Sequence, residues 1–193
     1  MGEASKIRNY LTDQYSEWFG KGAQLIHGLP NMIDIGCGDD PIFKWAHTMD
    51  KRKEVSPSVQ IDATKALNMG SNWDVVFSSH TLEDIQNYKS ALKKWISWIA
   101  PNGLLVLFLP HKYFYPNVGH PLANKAHKHD FLPGDIIPVI EKQGMLLVEC
   151  RCFFPDDHVY RYEERGRLNY SFLIVAQRIN VKEYPKIIKG KHS

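Results

Sequence analysis

The feature that most constrains the fold is the passage from an apolar strand into a glycine turn at residues 31–41, N-M-I-D-I-G-C-G-D-D-P. The segment Met32–Ile35 predicts a short buried strand. Gly36 and Gly38 would let the backbone approach a ligand closely. The segment Pro41–Trp45 predicts a short helix, because proline suits the first helical position, and its N-terminus would offer N–H groups to an anion. A nucleotide-type ligand site requires this order of strand, glycine turn and helix.

Further strands and helices alternate along the chain. Strands are predicted at residues 47–49, 59–61, 74–78, 104–109, 145–152 and 170–178. Leu92, Trp95 and Ile96 mark one face of a helix, and a second helix lies within residues 133–143, where Pro138 would disturb it unless it starts late. The continuously apolar strand 104–109 is typical of the middle of a parallel sheet. We predict an α/β fold, a single Rossmann-like doubly wound sheet that is mostly parallel with an antiparallel last strand pair.

The length of 193 residues favours one domain. The spacing of apolar and aromatic residues predicts a helix over Ser5–Phe19 that ends at Gly20. We assign residues 1–30 to an N-terminal helical cover, residues 31–180 to the main domain and residues 181–193 to a basic tail.

Composition excludes several classes of protein. No apolar run approaches the roughly 18 residues of a membrane span, so membrane insertion is excluded, and the absence of an apolar signal core predicts a cytoplasmic protein. Cys37, Cys150 and Cys152 lack zinc-type spacing and form an odd number, which indicates reduced thiols and no structural metal. The net charge of +3 is mild.

Polar residues follow four predicted strands at what would be one edge of the sheet. They are Asp34 with its glycine turn, Asp50, Asp62 and the sequence Ser78-Ser79-His80. Ligands bind at this edge of open parallel sheets. The acids would repel a pyrophosphate, the third glycine of a dinucleotide motif is replaced by Pro41, and no P-loop lysine is present. S-adenosylmethionine, with its ammonium and sulfonium groups, suits this pattern better than NAD or ATP.

Four ordered segments carry a family resemblance: D-I-G-C-G-D-D-P at 34–41, D-A at 62–63, D-V-V-F-S-S-H-T-L-E-D-I at 74–85 and I-A-P-N-G-L-L-V at 99–106. Together they resemble the class I S-adenosylmethionine-dependent methyltransferases. More narrowly, they are similar to a compact methyltransferase-domain group of the kind called type 11. The resemblance spans residues 32–178 and implies methyl transfer from S-adenosylmethionine, leaving S-adenosylhomocysteine.

The resemblance also implies roles for individual residues. Asp34, Gly36, Cys37 and Gly38 would surround the methionine part of the cofactor. Asp50 would hold the ribose hydroxyls, Asp62 and Ala63 would recognise adenine, and Ser79 and His80 would lie beside the methyl group. Tyr15 stands in a segment resembling a cover over the cofactor. The eight residues 51–58 are too few for a helical crossover, so that helix must be missing or replaced by a loop.

A general base is required only if the acceptor loses its proton before or during attack. The candidates are His80, His111 and His129. His80 could instead form a hydrogen bond that shapes its turn, and His111 could be a solvated loop residue.

The long segment 110–129 predicts a substrate lid, with Tyr113, Phe114 and Tyr115 packing over the acceptor or serving as core residues. His120, His127, His129 and Asp130 could be grouped as metal ligands, but His-x-His without a third ligand at fixed spacing does not define a site, and we predict no metal.

A small molecule or a glycan sugar is the predicted acceptor of O- or N-methylation, by analogy with compact relatives. Nucleic acid is not expected, because no basic stripe interleaved with aromatics is present. Two alternatives stay open: a catalytically silent cofactor-binding or scaffold module, and a nucleotide- or NAD-binding enzyme of related fold.

Overall fold

The computed structural model describes residues 3–20, 28–65, 69–153 and 170–179. Within these ranges the helices are α1 (Glu3–Gln14), α2 (Ser16–Phe19), α3 (Tyr88–Ser97) and α4 (Pro133–Glu141), and the strands are β1 (Met32–Ile35), β2 (His47–Asp50), β3 (Val59–Gln60), β4 (Trp73–Ser79), β5 (Ile99–Pro110), β6 (Met145–Cys152) and β7 (Ser171–Arg178). Short 3-10 helices occur at Lys53–Val55 and Leu82–Asp84.

The strands form one seven-stranded sheet in the order β3-β2-β1-β4-β5-β7-β6. Strands β3, β2, β1, β4 and β5 pair in parallel, and β7 pairs antiparallel with both β5 and β6. The predicted α/β fold, with a mostly parallel sheet and an antiparallel pair at its end, is confirmed. Because β1 lies between β2 and β4, the chain order reverses there, which places a ligand crevice beside the carboxyl end of β1.

Alternating side chains of the strands build a core on each face of the sheet. Ile33 and Ile35 of β1 pack with Trp95 of α3 and Ile136 of α4 on one face. Met32, from the same strand, faces the other side and belongs to the cluster that contains Ile7 and Leu11 of α1. The sheet is therefore covered on both faces, as a doubly wound fold requires.

The prediction of a helix over Pro41–Trp45 is wrong, because this segment forms turns and bends. The Ile42 N–H donates to the buried carboxylate of Asp34 at 2.8 Å. The guanidinium of Arg8 donates to the carbonyl oxygens of Pro41 and Ile42, the groups that a helix would use internally. Tertiary partners thus satisfy these backbone groups in place of a helical ladder.

The predicted single helix over Ser5–Phe19 is interrupted at Tyr15, which separates α1 from α2, although the second helix does end before Gly20. The hydroxyl groups of Tyr10 and Tyr15 both donate to the carboxylate of Glu149 on β6. These bonds fasten the end of α1 to the sheet. The division between a cover and a main domain at residue 30 stays a prediction.

Three further expectations concern the connections. Only a 3-10 helix joins β2 to β3, so the missing crossover helix is confirmed. Strand β5 begins at Ile99, earlier than the predicted start at residue 104, and includes Asn102, where φ is 65° and the register with β4 shifts. Helix α4 starts at Pro133 and continues through Pro138 to Glu141, so the disturbance predicted at Pro138 does not end the helix.

The basic tail at 181–193 and the loop at 154–169 lie outside the described residues. Among the helices in the described ranges, none combines the length and the apolar character that crossing a membrane demands.

Replacing Leu105 with alanine tests the central position of β5. Leu105 is 0% exposed, so Leu105→Ala is expected to lower the free energy of unfolding by about 2–5 kcal/mol through lost burial and a residual cavity. Urea unfolding provides the measurement. The matched control is Leu146→Ala on β6, where the side chain is 48% exposed and the expected loss is below about 1 kcal/mol. Equal losses in the two variants would contradict the proposed core.

Candidate functional site

A cavity of about 500 Å³ opens at the carboxyl ends of β1, β2 and β4. This volume lies within the usual range for small-molecule sites, roughly 300–1,000 Å³. Its lining comes from five separate parts of the chain: Gly36; Met49 to Arg52; Ile61 to Thr64; His80, Thr81 and Asp84 to Gln86; and Asn124 with Ala126. Of the residues predicted to bind a cofactor, Gly36, Asp50, Asp62, Ala63 and His80 lie in this wall.

The glycine turn is built by backbone geometry that requires glycine. Gly36 has φ of 72° and Gly38 has φ of 56°, in the left-handed region. The N–H of Gly36 donates to the Met49 carbonyl at 2.7 Å. A Cβ at Gly36 would lie 2.0 Å from Oγ1 of Thr81, so the turn can lie against Thr81 only when residue 36 has no side chain.

Asp34 lies behind the turn and is 1% exposed. Its Oδ2 accepts the Ile42 N–H, and the neighbouring carboxylates of Asp40 and Asp50 repel it while Arg8 attracts it. Burial is the largest influence and raises the pKa of Asp34 to about 7. Asp34 is not among the lining residues of the cavity, so its side chain supports the turn from behind.

Asp50, at the end of β2, is engaged on two sides. Its Oδ2 accepts the Gly38 N–H at 3.1 Å, and its carboxylate accepts bonds from the backbone N–H and the guanidinium of Arg52. Burial opposes ionisation, but these hydrogen bonds outweigh it and hold the pKa of Asp50 below its usual value. The Arg52 side chain is 43% exposed, whereas the Asp50 side chain is 7% exposed.

Asp62 follows β3 at the opposite wall. Its Oδ1 accepts the N–H of Thr64 at 2.8 Å and the hydroxyl of Thr64 at 2.6 Å. The hydroxyl bond is the main cause of a lowered pKa at Asp62. The carbonyl oxygen of Ala63 accepts the Trp95 indole N–H at 3.4 Å, which ties this loop to α3. Asp62 therefore presents an ionised carboxylate to the cavity near pH 7.

Ser79 ends β4 and His80 follows it. The Ser79 hydroxyl is buried and has no hydrogen-bond partner in the described ranges. His80 has φ of 47°, and its Nε2 lies 2.9 Å from the hydroxyl of Ser171 on β7. Its Nδ1 lies 3.7 Å from Glu83. His80 is the one predicted base that lines the cavity.

His111 and His129 lie elsewhere. His111 is 7% exposed, burial lowers its pKa, and its Nδ1 accepts the Tyr113 N–H at 3.2 Å. The Nε2 of His129 lies 3.1 Å from the carbonyl oxygens of Ile85 and Gln86, and its ring stacks on Phe131. Neither ring lines the cavity, although His129 contacts the backbone of Ile85 and Gln86, which do, and the catalytic roles of both histidines stay predictions.

The three aromatics of the predicted lid diverge. Tyr113 is 66% exposed, whereas Phe114 packs against the core cluster on the α1 face of the sheet. The Tyr115 ring lies 5.2 Å from the His80 ring and 6.0 Å from the His127 ring. Tyr115 thus contacts a residue of the cavity wall.

The cavity also contains residues that the sequence patterns did not indicate. Lys51 and Arg52 directly follow the predicted ribose ligand, and Asn124 and Ala126 come from the long loop. A cation directly after Asp50 could have signalled an ion pair, whereas no spacing rule connects residue 124 with residue 36.

The three cysteines are free thiols, and burial and nearby carboxylates raise the pKa of Cys37 to about 11.

A family profile described as "Methyltransferase domain" matches residues 5–166. The chain belongs to this family. The predicted membership of the class I S-adenosylmethionine-dependent methyltransferases is thereby confirmed. No curated protein sequence gave a match.

Solved structures show the same fold at low identity. A structure of an S-adenosylmethionine-dependent methyltransferase from Mesorhizobium loti has a TM-score of 0.59 and 17% identity, covering 86% of this chain and 99% of its own. One from Archaeoglobus fulgidus has a TM-score of 0.64 and 16% identity, with coverage of 91% and 95%. A possible histamine N-methyltransferase from Thermotoga maritima has a TM-score of 0.57 and 12% identity, with coverage of 90% and 98%. Similarity at this level shows the fold alone.

The buried carboxyl of Asp34 predicts a pH-dependent stability. Its pKa is about 7 in the folded state against 3.8 for the ordinary group, so the folded chain binds the extra proton between those values. Stability contributed by this group is therefore lost as pH rises from about 4 to 7, by the order of a few kcal/mol. Asp34→Asn cannot titrate, so its free energy of unfolding should rise relative to that of the wild type between pH 4 and pH 8. Urea unfolding without ligands measures the difference, and a difference independent of pH would contradict it.

Gly36→Ala should disrupt the turn. The added methyl group would collide with Thr81, and the positive φ adds about 1–2 kcal/mol of strain. Gly119→Ala is the matched control, because Gly119 also has a positive φ, of 87°, but an added Cβ meets nothing within 4 Å. Thermal unfolding should show a larger loss of stability at Gly36 than at Gly119. Equal losses would mean that the collision carries no cost.

Proposed function

We propose that this chain binds S-adenosylmethionine in the 500 Å³ cavity and transfers its methyl group to a small molecule or a glycan sugar. The observation that carries the proposal is the charge of the cavity wall, where Asp50, Asp62 and Asp84 stand around the glycine turn. A ligand with an ammonium and a sulfonium group is attracted by such a wall. A pyrophosphate would meet these carboxylates, and no helix follows the turn within residues 36–46 to bind it.

The residues fit this cofactor. Gly36 and Gly38 would allow backbone contact with its methionine part, and the Cys37 backbone lies between them. Asp50 would accept hydrogen bonds from the ribose hydroxyls once Arg52 turns away. Asp62 and Ala63 would contact the adenine. The Ser79 hydroxyl ends β4 next to His80 of the cavity wall and is buried without a hydrogen-bond partner in the described part of the chain.

The bound cofactor supplies a methyl group already activated by the positive charge on its sulfur. The protein's contribution is to align the acceptor and exclude water, and such positioning can supply roughly 7–11 kcal/mol of the barrier. Where the acceptor must lose a proton, His80 is the favoured base, because it lines the cavity and Ser171 fixes its ring. Tyr115 lies against that ring and would close the acceptor side.

The size of the cavity supports a small acceptor. Among its lining residues, only Lys51 and Arg52 carry a fixed positive charge, and both stand beside carboxylates at the ribose side. A nucleic-acid surface would need a larger basic patch. The cytoplasmic location stays a prediction from the sequence.

Isothermal titration calorimetry with S-adenosylmethionine, S-adenosylhomocysteine and NAD tests the binding step. Both sulfur ligands should bind and NAD should bind weakly or not at all. Asp50→Asn and Asp62→Asn should each weaken binding of S-adenosylmethionine by about tenfold or more, as expected for lost charge-assisted hydrogen bonds. Asp13→Asn, an exposed acid on α1, is the matched control and should bind normally. Preference for NAD, or no binding of either sulfur ligand, would contradict the proposal.

Methyl transfer requires a second measurement. The chain is incubated with S-adenosylmethionine labelled in its methyl group and with separate pools of small metabolites and of glycans, and labelled products are identified by mass spectrometry. Transfer to one of these pools is expected, with a loss of rate in His80→Asn. Cofactor binding without transfer to any pool would favour the catalytically silent module.

A further inference from the structure

Two adjacent acids and a histidine from the long loop meet beside the cavity. Glu83 is 0% exposed, and the Nε2 of His127, whose side chain is 4% exposed, lies 3.6 Å from its Oε1. The same Nε2 lies 3.9 Å from Oδ1 of Asp84. One donor atom of each residue lies within 4.8 Å of the other two. We call Glu83, Asp84 and His127 the acid–histidine cluster.

The charges of this cluster favour a cation at its centre. The Glu83 side chain is 0% exposed and that of Asp84 is 28% exposed, and burial of carboxylates is costly without positive charge nearby. The Oδ1 atom of Asp84 is buried and accepts no hydrogen bond within the described ranges. This oxygen and the Nε2 atom of His127, 3.9 Å apart, are both donor atoms of the kind that bind metal ions.

We propose that the acid–histidine cluster binds a divalent first-row metal ion such as Zn²⁺ or Mn²⁺. Nitrogen and oxygen ligands bind Zn²⁺ at about 2.0–2.2 Å, which places neighbouring tetrahedral ligands about 3.3–3.6 Å apart. The two separations from His127, 3.6 and 3.9 Å, need adjustments of a few tenths of an ångström, and all three donor atoms lie within 4.8 Å of one another. One imidazole with two carboxylates is a donor set that Zn²⁺ and Mn²⁺ both accept.

The backbone holds the three ligands together before any ion binds. The N–H groups of Lys128 and His129 donate to the Glu83 carbonyl at 2.8 and 3.2 Å. The loop segment that carries His127 is thereby fastened to the 3-10 helix that carries Glu83 and Asp84. Because the ligands need little ordering, less entropy is lost on binding the ion.

The other histidines of the loop are not part of the site. The Nδ1 of His120 accepts the Leu122 N–H at 3.1 Å, and His129 faces the carbonyl oxygens at residues 85 and 86. Asp130 accepts the Val118 N–H at 2.9 Å. The grouping of His120, His127, His129 and Asp130 that the sequence spacing allowed is therefore replaced by a different set, in which only His127 remains.

The position of the site gives the ion access to the acceptor. Asp84 is both a member of the cluster and part of the cavity wall, and His80, also in the wall, lies 3.7 Å from Glu83. An ion there could bind an acceptor hydroxyl and lower its pKa, which would favour acceptors with oxygen donors. This consequence rests on the proposed function, whereas metal binding by the cluster does not.

Metal titrations of the full chain without cofactor test the proposal. The chain is freed of metal with a chelator, and Mn²⁺ binding is followed by electron paramagnetic resonance and Zn²⁺ binding by calorimetry. We expect one saturable site per chain for at least one of the two ions. His127→Gln and Asp84→Asn should each weaken its binding at least tenfold. Absence of saturable binding of both ions to the wild type would overturn the proposal.

Two controls separate the cluster from other donors. His120→Gln removes an exposed histidine of the same loop, and Cys150→Ser removes an exposed thiol that could bind Zn²⁺. Both variants should bind the metal as the wild type does. Circular dichroism tests whether each variant is folded. If His127→Gln does not fold, Glu83→Gln replaces it as a ligand variant. Binding that survives in the folded ligand variants but is lost in Cys150→Ser would overturn the assignment. Failure here leaves cofactor binding unaffected, so the two proposals fail separately.

Discussion

The hydrogen bond from the Ile42 N–H to the buried carboxylate of Asp34 organises the ligand edge of this protein. It closes the segment that joins β1 to β2, where most doubly wound sheets place a helix. With no helix there, the backbone groups of the segment need other partners. Asp34 supplies one from beneath, and Arg8 supplies another from α1 by donating to the carbonyl oxygens of Pro41 and Ile42.

This arrangement makes α1 part of the site's support. Arg8 also forms an ion pair with Asp40 at 3.0 Å, and the Ser5 N–H donates to the same carboxylate. At the other end of the helix, Tyr10 bonds Glu149 on β6. One helix therefore connects the glycine turn with the far edge of the sheet. A change at either end can reach the turn through contiguous contacts.

The two proposed ligands, the cofactor and the metal ion, would lie at different ends of the cavity. Asp50 and Asp62 offer ionised carboxylates at the ends of β2 and β3, where a cofactor with a positive charge would lie. Asp84 offers a third carboxylate at the end of β4, backed by the buried Glu83. Negative charge at both ends of one cavity would be costly alone. A cationic cofactor would neutralise the carboxylates of Asp50 and Asp62, and a metal ion would neutralise those of Asp84 and Glu83.

Local patterns were sufficient to predict most of the strands and the order in which polar residues follow them. Parallel pairing then brings Gly36, Asp50, Asp62 and His80 to one edge, whatever the loops do. Local patterns wrongly predicted a helix at residues 41–45, because Pro41 suits the start of a helix. The bonds that Arg8 and Asp34 form with the backbone of this segment leave no signal in its own sequence. Local patterns were also insufficient for His127, since its partners stand 43 and 44 positions earlier.

The sequence by itself determined the class of fold and the main part of the candidate cofactor site, because strand periodicity and strand-end residues act through local geometry. Only the tertiary structure decided that Asp34 lies behind the turn, that Arg52 covers Asp50 and that His127 meets Glu83 and Asp84. These features depend on side chains from distant segments competing for the same backbone groups and charges. That competition is settled by packing, which no spacing along the chain records.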